Sequence, residues 1–305
     1  FMTQTLTRFQ ANALLLIAAI AWGCAFVPQS IATPFIGPFS FTGARFLLGA
    51  LVISPLVWRE WRQLVELNRT PSIRDWLQIA LMGALLCAGT SLQQVGMAHT
   101  TVTNAGFLTG LYVPLVPLLG WLFYRRRAHW VVWPAALGCV VGTWLLTGAG
   151  KIDLNVGDLW VLATVIPFTL HVLWVGGVAD KLHAPLLVAW GQFVVCGALA
   201  LCFALPLENF DSANLSQVFW PMMYMVFISV GIGFTFQVIG QRFARPAESA
   251  IILSGETVFA ALAGAVFLHE RLPFLGYVGA ALILVGIIAV QIVPAPVAAP
   301  LIEQH

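Results

Sequence analysis

Along this chain apolar residues collect into blocks of about 20, the length a helix needs to cross a bilayer core about 30 Å thick. Ten such blocks can be marked out: Ala11 to Ile31, Phe39 to Trp58, Trp76 to Val95, Val102 to Phe123, Val131 to Leu146, Leu159 to Val178, Pro185 to Leu205, Val218 to Ile239, Ser249 to Leu268 and Phe274 to Ile292. The fifth is short for a span. Two stretches repeat each other: Gly106 to Tyr124 (GFLTGLYVPLVPLLGWLFY) and Ile251 to His269 (IILSGETVFAALAGAVFLH) superpose at a constant offset of 145 residues. The pattern therefore predicts ten transmembrane helices built by duplicating a five-helix unit. At the same offset Ala105 meets Ala250 and Gly110 meets Gly255, but Leu111 meets Glu256. One copy carries a carboxylate inside an apolar span and the other does not. Duplicated membrane domains place substrate sites where their repeats meet, so the asymmetry points to a carrier.

Composition agrees with the spans. Hydrophobic residues make up 60% of the chain and charged residues 9%, against roughly 25% charged in a soluble domain, and mean hydropathy is +0.92. No soluble core absorbs that much apolar surface. The first block contains Trp22, Gly23, Pro28 and Gln29, a poor signal-peptide core, and is expected to be retained. Net charge is only +2, yet the charges are unevenly placed. With the N-terminus inside, inner segments hold Arg8, Arg59, Arg62, Arg69, Arg74, Arg125, Arg126, Arg127, Lys181, Arg242 and Arg245, whereas outer segments hold Lys151 and Arg271. Lys and Arg favour cytoplasmic loops, so both termini are expected in the cytoplasm of a bacterial inner membrane. An odd number of spans per copy forces the second copy to enter from the opposite side. The fold class is an all-α integral membrane protein of two inverted five-helix repeats, residues 1–149 and 150–294, followed by a loose tail over 295–305.

Between the repeats, Gly148 to Asp158 forms the joint. Arg59 to Asp75, with Trp58, Trp61, Leu64, Val65 and Leu67 at helical spacing, reads as a short interfacial helix. The five cysteines all fall in apolar spans with no CxxC pair and no histidine at metal-ligand spacing. They read as buried small hydrophobes, and neither a metal nor another cofactor is expected.

Ionisable groups inside hydrocarbon each need an account, because insertion costs about 2.5 to 3.5 kcal/mol for an Asp or Lys at a helix centre. Glu256 is the deepest acid, flanked by Ser254, Gly255 and Thr257, whose small side chains leave room for water, a cation or a ligand amine. A protonated acid bonded to a neighbouring helix is the structural alternative. Arg45, roughly 9 Å into the second span at 1.5 Å per residue, is expected to snorkel outward, with contact to a substrate carboxylate as the alternative. His171, with Trp174 a turn later, is either a cavity-lining group or a helix-interface histidine. Gln94, Asn104, Thr109, Tyr112 and Gln237 complete the cavity candidates, although interhelical hydrogen bonds account for most such residues in membrane bundles. Because Asn104 to Tyr112 and Ser249 to Thr257 occupy equivalent repeat positions, they are expected to form opposing walls of one midplane cavity. Pro114, Pro117, Pro167, Gly231 and Gly233 are the hinge candidates, each removing or weakening a helical hydrogen bond.

The run from Ala247, AESAIILSGETVFAALAGAVFLHERLPFLGYVGAALILVGIIAV, resembles the repeat signature of the drug/metabolite transporter superfamily in its EamA branch. The family pattern places one glutamate ahead of a small hydrophobic run and another just before the last span, here Glu256 and Glu270. AWGCAFV at Ala21 to Val27 and ARFLLGAL at Ala44 to Leu51 are similar to the family's first two spans, and the resemblance extends to bacterial YddG-type amino-acid exporters. Thr257 departs from the family's frequent proline, and Tyr124-Arg125-Arg126 departs from its Gly-Glu ending, so Glu270 is read as an end-of-helix residue. The resemblance implies a central cavity and export by alternating access. The expected partners are a small-molecule substrate, favoured to be a neutral or aromatic amino acid, and membrane lipid, with no nucleic acid and a functional monomer. Drugs and other metabolites remain the alternative cargo. A membrane enzyme would lack its HExxH, GxGD or GxSxG sequence, a channel its NPA or TVGYG boxes, and ATP-driven transport a P-loop.

Overall fold

The computed structural model describes residues 6–125, 128–147, 155–209 and 214–293, and every regular element among them is a helix. In the first half α1 (Arg8–Ala32), α2 (Pro38–Glu66) and α3 (Ile73–Gly96) are single helices. The fourth span is divided into α4 (Val102–Gly110) and α5 (Tyr112–Tyr124), and α6 (Val132–Leu146) follows. In the second half α7 (Val156–Ala163) and α8 (Val165–Leu182) share a span, and α9 (Pro185–Leu207) is single. The eighth span joins α10 (Leu215–Tyr224), a π-helical stretch Met225–Phe234 and α11 (Thr235–Phe243); α12 (Pro246–Leu253), α13 (Gly255–Phe267) and α14 (Phe274–Ile292) complete the chain. Among the described residues nine helical stretches are long and apolar enough to cross a bilayer, and α6, at 15 residues, is the shorter tenth.

Local sequence sets the helix ends. Thr7, Ser72 and Asn155 each accept an N–H from the third helical residue, and Gln10, Asp75 and Asp158 return the bond, so α1, α3 and α7 open on capping boxes. Pro38, Pro185 and Pro246 sit in the first turns of α2, α9 and α12, where a missing N–H leaves no partner unsatisfied. Pro114 deprives the Gly110 carbonyl of its donor, and Pro167 does the same to Ala163, the last residues of α4 and α7. The third break has no proline. At Ser254 the Thr257 N–H bonds the Ser254 carbonyl at 3.1 Å, tightening the turn, and the Thr257 hydroxyl takes the same carbonyl at 2.9 Å. Thr257 thus supplies through its hydroxyl the break that prolines supply in the fourth and sixth spans.

Packing follows the duplication. α2 runs antiparallel along its counterpart α9, with Gly43 against Leu201 and Gly197 against Leu47. α6 lies antiparallel to its counterpart α14, where Gly138 faces Leu282 and Gly142 meets Gly279, so the GxxxG spacing of Gly138 and Gly142 lies at a helix crossing that is closest at Gly142. Other large contacts exchange between halves: α1 packs on α13 as α5 packs on α8, and α1 packs on the eighth span as α3 packs on α7 and α8. An internal two-fold relation between inverted halves accounts for all of these pairings. Two carboxylates repeat it at the ends of the α2–α9 pair. Glu60 accepts the N–H groups of Leu186 and Leu187 at the start of α9, while Glu208 accepts those of Phe39 and Ser40 at the start of α2.

The expected interfacial helix is not separate. α2 continues unbroken to Glu66, because Glu60 and Leu64 are buried against the bundle and hold the extension to it. The joint is described only from Asn155 onward; residues 148–154, Arg126, Arg127, Asp211 and the tail over 295–305 lie outside the described residues.

Candidate functional site

Where spans one to four, six, eight and nine converge, they surround a cavity of about 550 Å³, its mouth included. The broken spans supply its middle. Thr109 lies in the last turn of α4 and Tyr112 opens α5, and both border the cavity together with Glu256 in the first turn of α13. Gly106 and Gly110 permit this meeting, since a Cβ on either would press on Ala260 or Thr257 of α13. Glu256 is only 5% exposed, and its Oε1 has no hydrogen-bond partner among the described residues. Gln237 of α11 likewise presents an unpartnered Oε1 to the cavity. His171 of α8 lines the cavity and is bonded through Nε2 to Gln192 Oε1 of α9 at 2.7 Å, so it is both a wall residue and an interhelical tie.

Four candidates stand off the lining, for reasons of helical phase. Successive residues point about 100° apart on a helix, so Gln93 faces the cavity and bonds the Thr109 hydroxyl at 3.0 Å while Gln94 turns to the Gln29 carbonyl and Thr33. Asn104 lies at the start of α4, its N–H on the Thr101 hydroxyl, short of the cavity level. Trp174 packs with its ring 6.3 Å from that of Phe123 instead of facing inward. Ser254 is fully buried, donating to the Ile251 carbonyl with Cys139 Sγ at 3.2 Å. Of the hinge candidates, Pro114 and Pro167 follow helix breaks, Pro117 lies within α5, and Gly231 and Gly233 lie in the π-helical stretch. Gly233 makes room for Trp22, whose indole N–H donates to the Ser229 carbonyl at 3.2 Å. Glu270 accepts the N–H groups of Val102 and Thr103 and the Thr103 hydroxyl, which makes it the N-terminal cap of α4.

Arg45 overturns the expectation that it snorkels outward. It is 2% exposed and borders the cavity, with Nη1 donating to Gln29 Oε1 at 3.2 Å and the rings of Phe41 and Phe46 near its guanidinium. No ion pair joins Arg45 to Glu256 among the described residues. The aromatic wall consists of Trp22, Phe26, Phe168 and Phe234, with Trp22 and Phe234 centroids 4.5 Å apart. Sequence reasoning did not select Gln29, Gln93 or this wall. A usable signal existed for Gln29 and Arg45: the connection between α1 and α2 is short, so a polar residue late in one and a cation early in the other must share one end of the bundle.

Comparison with known proteins bears on what this arrangement does. The EamA-like transporter family matches twice, over residues 10–148 and 155–292. The chain is 28% identical over 285 residues to an uncharacterized transporter of Archaeoglobus fulgidus, covering 93% of this chain and 87% of the relative. It is 23% identical over 295 residues to the uncharacterized transporter YwfM of Bacillus subtilis, covering 92% and 93% of the two chains. A solved crystal structure shares the fold with a TM-score of 0.73 at 17% identity, over 93% of this chain and 96% of that one.

Proposed function

The chain belongs to the EamA-like transporter family and is a multi-pass membrane transporter, and from that premise we propose that it exports neutral and aromatic amino acids by exposing the central cavity alternately to each side of the membrane. The observation that carries this reading is the composition of the cavity where the inverted halves meet. A Glu256 carboxyl oxygen without a partner among the described residues stands among Trp22, Phe26, Phe168, Phe234 and Tyr112. An ammonium can meet the carboxylate while an apolar or aromatic side chain lies on the rings. Gln237, Gln93, Thr109 and His171 supply donors and acceptors that orient the ligand. Alternating access draws on the broken spans, because unpaired backbone at membrane depth is tolerated where it lines a cavity and marks the repeat interface in carriers. The bias of Lys and Arg toward one set of loops supports cytoplasmic termini in a bacterial inner membrane, and a monomer suffices because the cavity is completed within one chain.

Cationic drugs are the second reading, since Glu256 and the rings would also receive them. Counterflow of labelled phenylalanine into proteoliposomes, competed by a panel of amino acids and cationic drugs with and without a pH gradient, separates the two. Neutral and aromatic amino acids are expected to compete. Glu256→Ala is expected to lower the rate at least about tenfold, a loss equivalent to one charge-assisted contact. Competition by drugs alone overturns the amino-acid reading, and wild-type rates in both Glu256→Gln and Glu256→Ala remove that residue from the mechanism.

A further inference from the structure

The cavity has a second pole. A guanidinium carries five N–H donors and stays charged in proteins, yet among the described residues the one hydrogen-bond acceptor of Arg45 is Gln29 Oε1, at 3.2 Å from Nη1. Its Nε has no partner among the described residues, and no carboxylate lies within ion-pairing distance of it there. Phe41 and Phe46 hold the group from its sides, their centroids 5.5 and 5.3 Å from Cζ, and Gln29 fixes its edge. The side chain is therefore buried and oriented but not neutralised by the protein. Glu256 is an acid in a similar setting, buried at 5% exposure with Oε1 unpartnered among the described residues.

A buried guanidinium without a counterion is costly, and the protein places it in one cavity with the Glu256 carboxyl group without bringing the two together. They also lie at different depths. Arg45 is near the start of α2 and Gln29 near the end of α1, at one end of the bundle, whereas Glu256 lies midway along the span formed by α12 and α13. A ligand bearing separated charges of both signs would satisfy both.

We propose that Arg45, oriented by Gln29, binds the carboxylate of the transported molecule, so that the cavity selects zwitterions over amines of the same shape. The planar fork of a guanidinium matches a carboxylate in two parallel hydrogen bonds, a geometry that an ammonium cannot supply. A ligand lacking the carboxylate leaves the guanidinium buried without a partner, and rejection by an unpaired buried group is the strong form of selectivity. This inference rests on the amino-acid reading and adds to it the group that reads the acid end.

The test uses three related molecules: phenylalanine, phenethylamine, which lacks the carboxylate, and 3-phenylpropanoate, which lacks the ammonium. Binding is measured on purified full-length protein as the ligand-dependent rise in unfolding midpoint, which needs no transport. Wild-type protein is expected to bind phenylalanine roughly 10- to 100-fold more tightly than phenethylamine, and Arg45→Gln is expected to abolish that preference. Gln29→Ala, which keeps the cation but frees its orientation, is expected to reduce the preference by several-fold, and it serves should Arg45→Gln fail to fold. Arg45→Lys should retain part of it. If phenylalanine binds with the same preference in wild type and Arg45→Gln, or in wild type and Gln29→Ala should Arg45→Gln not fold, the inference falls while the amino-acid reading stands. If 3-phenylpropanoate binds in an Arg45-dependent manner and phenylalanine does not, the carboxylate subsite stands and the amino-acid reading falls. Wild-type protein that binds neither carboxylate overturns both.

Discussion

Gly23 shows how much a single position decides in this bundle. A Cβ built there would lie 2.5 Å from the Glu256 carbonyl oxygen and 2.5 Å from Cβ of Phe259, so α1 touches the backbone of α13 at the turn that carries the cavity's acid. At Gly138 the nearest atom, the Leu282 carbonyl oxygen, is 3.8 Å away, an ordinary contact. Gly23→Ala is therefore expected to cost about 1–3 kcal/mol through overpacking against backbone that cannot yield, and Gly138→Ala to stay within about 0.5 kcal/mol. Unfolding midpoints of the two purified variants compare them directly; equal midpoints would remove the close crossing. Gly138 and Gly142 have the spacing of a known contact motif, whereas nothing local marks Gly23, whose partner lies in the other half of the chain. The same limit explains Arg45. Its depth was legible, but its direction depended on Gln29, Phe41 and Phe46, and a linear sequence does not show which way a long side chain turns.

At the scale of elements, breaks caused by proline were readable and the break caused by hydroxyl bonding was not. Pro114 and Pro167 announce the ends of α4 and α7, whereas the turn at Ser254 depends on where the Thr257 hydroxyl points. Glu60 and Glu208 were equally hidden. Glu60 stood in a supposed surface helix and Glu208 between two spans, yet each closes the first turn of the helix opposite, where N–H groups have no partner within the helix. Their exposures differ: Glu60 is 4% exposed and Glu208 is half-buried. Glu60→Ala leaves the Leu187 N–H buried without an acceptor and is expected to cost about 2–3 kcal/mol, while Glu208→Ala, where water can substitute, is expected to cost about 1 kcal/mol. The two sites lie at opposite ends of the 29-residue α2, so the double variant should show the sum within about 0.5 kcal/mol. Chemical unfolding in detergent measures all three. A Glu208 effect larger than that of Glu60 would contradict the assignment of burial as the deciding term.

For the whole molecule, the duplication was legible from one offset and the inversion from the odd number of spans, because both depend on counting and not on side-chain direction. The pairing of α2 with α9 and of α6 with α14 was not, since nothing in a repeat says which copies sit on the two-fold axis. Inversion makes a demand that labelling can check. Thr70, after the second span, and Asn209, after the seventh, occupy corresponding loops, and both are exposed. If the halves are inverted they must face opposite sides of the membrane, and from the concentration of Arg in the first loop we expect it on the cytoplasmic side. In a background with the five native cysteines replaced, Asn209→Cys is expected to react with a membrane-impermeant maleimide on intact cells, and Thr70→Cys only after the cells are broken open. Reaction of both from outside would refute the inversion. The reverse order, Thr70 outside and Asn209 inside, would keep the inversion but turn the protein over, placing the Arg-rich loops outside and reversing which end of the cavity Arg45 guards.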